Sequence, residues 1–205
     1  SPRQAVALLG QAVHVAPAAW LLRRAAQKAG VLGRAVTYVS AFAGVDTIAE
    51  AMERVWPSRW RYAAASECDT VARRALLAAW GPRGLEEGYV FRDAAGDDAR
   101  DAPAADVWAC TPSCRPFSRR NHRQSEESVA DELVVIERAL GYARRARPRI
   151  VLIENVCEPA AVQSLSAMLR RLGEYEWEHG LLCPAVHFGE GMTRARYFWL
   201  GTRRA

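Results

Sequence analysis

Apolar positions recur every three to four residues through "QAVHVAPAAWLLRRAAQKAG", the spacing of a helix with one apolar face, and Gly30 ends it. The pattern then changes. "AVTYVSAF" is a short apolar run rich in β-branched and aromatic residues and predicts a strand, and "DTIAEAMERVW" returns to helical spacing. The alternation continues: "WRYAAASE" as a strand, "DTVARRALLAAWG" as a helix with Gly81 just past its end, and "DVWAC" as a strand. "SVADELVVIERALGYARRA" predicts a helix stopped by Pro148, and "RIVLIEN" a strand apolar enough to be buried on both faces. "AAVQSLSAMLRRLG" predicts a further helix and "YFWLGTR" a last strand. The polar, Gly- and Pro-containing stretch from Asp93 to Asp106 predicts a surface loop. Strands alternating with helices of this length imply an α/β fold, a mostly parallel sheet with helices on both faces. Ligands of such sheets sit beyond the carboxyl ends of the strands.

Length and composition narrow the picture. The chain has 205 residues, half of them hydrophobic, which suits one core and one domain over 1–205. No apolar run reaches the ~20 residues of a membrane span, and "SPRQAVALLG" has no secretory-signal pattern; it reads as a cut within a longer chain. The five cysteines are odd in number and form no CxxC pair, which argues against a disulfide framework or structural zinc and for an intracellular protein. The four histidines are scattered, so no metal is expected. The net charge of +5 admits a nucleic-acid partner. Lys28 is the only lysine, however, and a compositional bias toward arginine and alanine gives the same balance.

Candidate chemistry lies at the strand ends. In "TPSCRPFS", Pro112 and Pro116 stiffen the loop that carries Cys114. In "FAGVDT", Gly44 allows close backbone approach, and the helix start that follows favours an anion such as a carboxylate. The later glycines of a dinucleotide fingerprint are absent, with Asp46 and Thr47 in their place. In "SECD", Glu67 stands where an acid can accept two ribose hydroxyls or cap the next helix. In "IENV", Glu154 emerges from a buried strand, where a carboxyl holds its proton near neutral pH or is satisfied by neighbouring amides. A thiolate beside such an acid suits one reaction. Sulfur adds to carbon 6 of a pyrimidine, the acid supports nitrogen 3, and carbon 5 becomes nucleophilic.

These motifs, in this order, resemble the cytosine-5 methyltransferases that use S-adenosylmethionine. The resemblance implies a Rossmann-like methyltransferase fold, a target base flipped out of its duplex, and DNA as the partner. It implies cofactor contacts at Phe42, Ala43 and Gly44, at Glu67 with the ribose, at Asp93 in "FRDAA" with the adenine amino group, and at Gln11 in the N-terminal segment. It makes Cys114 the nucleophile and Glu154 the residue that holds the base, with Arg194 and Arg196 of "GEGMTRARYFWLG" beside them. Ser113, Arg115 and Asn155 fall on the substrate side. The pattern departs in places. Ser113 and Arg115 replace the usual proline and glutamine around the cysteine, Met192 replaces a glutamine, Gln11 replaces an asparagine, and the first motif lacks two glycines. Residues 1–30 resemble the family's last motif and precede the rest, which runs over 36–205, and no target-recognition domain is evident. That order implies a missing target-recognition segment or a separate partner. The departures keep two alternatives in view: an RNA (tRNA) methyltransferase, and a weakened paralogue acting as a regulatory subunit. The expected compartment is the nucleus in a eukaryote and the cytoplasm in a bacterium.

Overall fold

The computed structural model describes residues 13–96, 98–118 and 125–204. In chain order the elements are α1 (Val15–Lys28), β1 (Val36–Ala41), α2 (Thr47–Val55), β2 (Trp60–Ser66), α3 (Thr70–Trp80), β3 (Val90–Phe91) and β4 (Val107–Cys110). They continue with α4 (Glu126–Ala146), β5 (Ile150–Asn155), α5 (Pro159–Arg170), β6 (Tyr175–Leu182), α6 (Pro184–Phe188) and β7 (Arg196–Arg203). One seven-stranded sheet has the order β3-β2-β1-β4-β5-β7-β6. The first five strands run parallel, and β7 is antiparallel to both β5 and β6.

Strand periodicity sorts the core into two layers. Tyr38, Ile150, Leu152, Phe198 and Leu200 face one side, against Leu22, Ile48 and Met52 of α1 and α2. Val39, Val151, Ile153 and Trp199 face the other, against Ile136 and Leu140 of α4 and Leu165 of α5. Every residue of β4 and β5 is buried, as the uninterrupted apolar pattern of "RIVLIEN" requires of a central strand. The helices begin at matching caps. The Asp69 carboxylate accepts from the amides of Val71 and Ala72, both at 2.8 Å, and Ser125 and Ser128 form a reciprocal capping box at α4.

Three elements lie outside the sequence pattern. β3 is only two residues long, and α6 is a single short helix. β6 is an edge strand whose sequence, "YEWEHGLL", places glutamates among the apolar residues. Those glutamates are used: Glu176 and Glu178 pair with Lys28, and Glu178 also with Arg24, which ties the sheet edge to α1. The loop from Asp93 to Asp106 contains a 3-10 turn over Asp98–Asp101, and Ala102 and Ala105 are buried.

The sheet order reverses at β1: the chain goes on to β2 on one side and later returns to β4 on the other. That switch point opens a crevice at the carboxyl ends of β1 and β4.

Gly201 gives a test of the packing of β7 on β6. A Cβ built there would lie 2.8 Å from the Trp177 ring. Gly201→Ala is expected to destabilise the protein by roughly 1–3 kcal/mol, as overpacked sites do. A denaturant midpoint unchanged from wild type would contradict this packing.

Candidate active site

The crevice at the switch point is a cleft of about 660 Å³, a size suited to a nucleotide-like ligand. Phe42, Ala43 and Gly44 line it, with Glu67, Asp93, Ser113, Cys114, Arg115, Glu154, Arg194 and Arg196. Eleven residues expected from the sequence to serve cofactor or substrate are thus brought to one place. Gln11 lies outside the described residues. Val13, two positions on, lines the cleft, and its carbonyl accepts a 2.6 Å bond from the Thr47 hydroxyl.

The turn after β1 is held tightly. Phe42, Gly44 and Asp46 all take positive φ, at 58°, 58° and 50°. Glycine adopts this region freely, whereas each side-chain-bearing residue there costs on the order of 1 kcal/mol. The Ala43 amide donates to Ser66 at 2.9 Å, and the Asp46 amide to Ala43 at 2.8 Å. Glu67 completes the turn from β2: its carboxylate accepts from the Gly44 amide and from the Asp69 amide, both at 2.7 Å. The acid expected to meet ribose hydroxyls is therefore already anchored by two backbone donors. Its remaining lone pairs are available to a ligand. Asp93 sits exposed at the rim and accepts from the Ala95 amide at 2.9 Å.

The cysteine loop is fastened at several points. The Thr111 amide donates to Ala41, and its hydroxyl to the Phe42 carbonyl at 3.0 Å. Cys114 then caps a 3-10 turn over Arg115–Phe117, with Phe117 buried beneath it. Asn155, expected on the substrate side, is fully buried instead. Its amide donates to the Pro112 carbonyl at 3.3 Å and its oxygen accepts from the Val156 amide at 2.7 Å. It reaches the cleft only by holding the loop that bears Cys114. Glu132 of α4 also lines the cleft and accepts from the Ser113 backbone, and burial raises its carboxyl. Cys110 is the inert cysteine of the pair, since full burial pushes its thiol far up, whereas Cys114 is partly exposed.

Glu154 is 8% exposed, and Arg196 Nε donates to its Oε1 at 3.0 Å. Burial drives its carboxyl from 4.5 up to about 7, opposed by the positive charges of Arg196 and Arg194. A carboxyl raised this far favours the folded state most below pH 4.5, and that advantage is lost as pH rises through about 7. The burial that costs on the order of 3 kcal/mol at high pH leaves a proton available near neutrality.

Asp46 also lines the cleft, and its side chain has a role that the local pattern does not announce. It is 4% exposed and caps α2, with Oδ1 accepting from the Ala49 amide and the Tyr38 hydroxyl, both at 3.1 Å. Oδ2 accepts from the Tyr62 hydroxyl. Burial raises its carboxyl to about 6, while the bonds from Tyr62, Ala49 and Tyr38 pull the other way. Its position in place of an expected glycine is visible in the sequence; its burial against tyrosines of two strands is not.

No protein-family profile and no curated protein matches the chain. Solved structures do resemble it. One is the Dnmt2 methyltransferase of S. pombe, 20% identical with a TM-score of 0.60, over 82% of this chain and 49% of that one. Another is a putative DNA modification methyltransferase encoded within an E. coli prophage, 18% identical with a TM-score of 0.62, over 82% and 47%. A human methyltransferase 10 domain containing protein is 13% identical with a TM-score of 0.58, over 93% and 85%. The chain spans about half the length of the first two. Among the described residues, no helix is long and apolar enough to cross a membrane, and no cluster of three or more His, Cys, Asp and Glu residues could hold a metal. The sheet, its helices and these likenesses establish the Rossmann-like fold of S-adenosylmethionine-dependent methyltransferases.

Proposed function

We propose that this chain transfers a methyl group from S-adenosylmethionine to carbon 5 of a flipped-out cytosine in DNA. The observation that carries the reading is the convergence of Cys114, on its fastened loop, with the Glu154–Arg196 pair in the cleft that Gly44 and Glu67 also line. The cleft fits the cofactor. Its volume suits a nucleoside with an amino-acid arm, Glu67 offers lone pairs to ribose hydroxyls, and Asp93 stands at the rim for an exocyclic amine. When bound, the cofactor supplies an electrophilic methyl group.

The protein's own groups do the rest. The Cys114 thiolate adds to carbon 6 of the cytosine while Glu154 gives a proton, or a strong hydrogen bond, to nitrogen 3. Electron density gathers at carbon 5, which takes the methyl group. Loss of the carbon 5 proton then returns its electron pair to the ring, and the carbon–sulfur bond breaks. Arg196 keeps Glu154 oriented, and its charge prevents burial from raising the carboxyl further. Asn155 and Glu132 hold the two ends of the peptide unit that joins Pro112 to Ser113. Arg115 stands next to the nucleophile with a charge suited to a phosphate. The prophage neighbour, whose description names DNA modification, accords with a DNA substrate.

Three outcomes test this reading. DNA containing 5-fluorocytosine should trap a covalent complex, because fluorine cannot leave as a proton does. Cys110→Ser should still trap it and Cys114→Ser should not; an adduct that survives loss of Cys114 refutes the assignment. Glu154→Gln should slow methyl transfer by ~10²–10⁴-fold while leaving cofactor affinity near wild type. The wild-type rate should also fall as pH rises above about 7, where Glu154 loses its proton, and this limb should vanish in the variant. Equal losses of rate and affinity would make Glu154 structural only.

A further inference from the structure

Asp46 is a buried acid in the cleft that the proposed chemistry leaves idle. We propose that it determines which ligands the cleft accepts: its carboxylate shares the first turn of α2 with the cofactor's own carboxylate, so S-adenosylmethionine binds with uptake of a proton, and analogues without that carboxylate bind without one. The inference rests on the cofactor reading above and goes beyond it.

Helix starts attract anions because their first amides lack partners within the helix. Thr47 and Ile48, the first residues of α2, line the cleft, as does Asp46 itself. Here the attraction is already partly spent, because Asp46 takes the Ala49 amide. A cofactor carboxylate arriving at the same turn meets a fixed negative charge.

The groups facing Asp46 are Tyr38 and Ser40 from β1, Tyr62 from β2 and the Ala49 amide from α2; all are neutral. Across the cleft, the acid at the end of β2 is Glu67, while Arg194 and Arg196 act on Glu154. Among the described residues, the largest influences on Asp46 include no cation, although Arg92, Arg115, Arg194 and Arg196 also line the cleft. Burial has already brought its carboxyl to about 6, and a second carboxylate nearby raises it further. Neutral pH is within reach of that rise. The protonated acid then carries no charge to repel the incoming carboxylate.

Calorimetry of wild-type protein in two buffers of different ionisation enthalpy tests the proposal, with S-adenosylmethionine and 5′-methylthioadenosine as ligands. The former should bind with uptake of up to one proton at neutral pH, and its affinity should weaken by as much as about tenfold per pH unit above neutrality. The latter, which lacks the amino-acid arm, should show neither effect. Asp46→Asn, and Asp46→Gly as the variant that also relieves the backbone, should bind S-adenosylmethionine with the uptake abolished. The cofactor's own amino group titrates alike in all three proteins and cancels in the comparison. Retained 5′-methylthioadenosine binding shows that a variant is folded. The proposal is overturned if wild type binds S-adenosylmethionine without proton uptake, if both variants keep the wild-type uptake, or if 5′-methylthioadenosine shows the same uptake. If neither ligand binds any of the three proteins, the cofactor reading itself fails and takes this proposal with it. Binding of both ligands that is lost in Glu67→Ala places them in this cleft.

Discussion

A carboxyl at the end of a fully buried strand needs a partner, and the antiparallel pairing of β7 with β5 supplies one. Because the two strands run in opposite directions, the first residues of β7 lie beside the last residues of β5. Asn155 faces Tyr197, so Arg196 falls at the mouth of the cleft, within reach of Glu154. A parallel strand in that position would bring its far end there instead. Without the arginine, burial would drive the Glu154 carboxyl higher still and hold it protonated beyond neutral pH, and nothing would orient it. The same pairing fixes Asn155, whose amide holds the Pro112 carbonyl and with it the loop of Cys114. Proton donor, nucleophile and the strand between them thus share one register.

The other wall depends on the turn after β1. It is tied to β2 by the Ala43–Ser66 bond and by Glu67, to β4 by Thr111, and to the sheet's interior by Asp46 through Tyr38 and Tyr62. A turn braced from this many sides offers a ligand a preformed surface, and little ordering remains to oppose binding. The bracing also explains how a chain can carry Asp46 and Thr47 where glycines are expected. The side chains that replace the glycines make the bonds that hold the backbone in place.

Most of the fold was legible because its central strands are apolar without interruption and its helices keep their spacing. β5, with its row of buried residues, and α4, ended by Pro148, could be read directly. β6 could not, since its alternating glutamates make sense only once α1 brings Lys28 and Arg24 against them. Within the site, Cys114 was legible from the flanking prolines and Glu154 from the strand that precedes it. The burial of Asn155 against Pro112 is not legible, because the two residues are distant in sequence. Glu132 carries no signal at all: an acid on an amphipathic helix looks like any solvated face until the helix is laid against the Ser113 loop. Local pattern announces what a residue can do chemically, whereas the direction of its side chain is set by neighbours that only the sheet brings together.

Methyl transfer itself gives the most direct test of the central claim. The protein would be incubated with S-adenosylmethionine carrying an isotopically labelled methyl group, with duplex DNA and transfer RNA in the same tube. Both polymers would then be digested to nucleosides and resolved by mass spectrometry. The account predicts label in 5-methyl-2′-deoxycytidine from the DNA. Label on an exocyclic amine, label confined to the RNA, or no label in either polymer would contradict it.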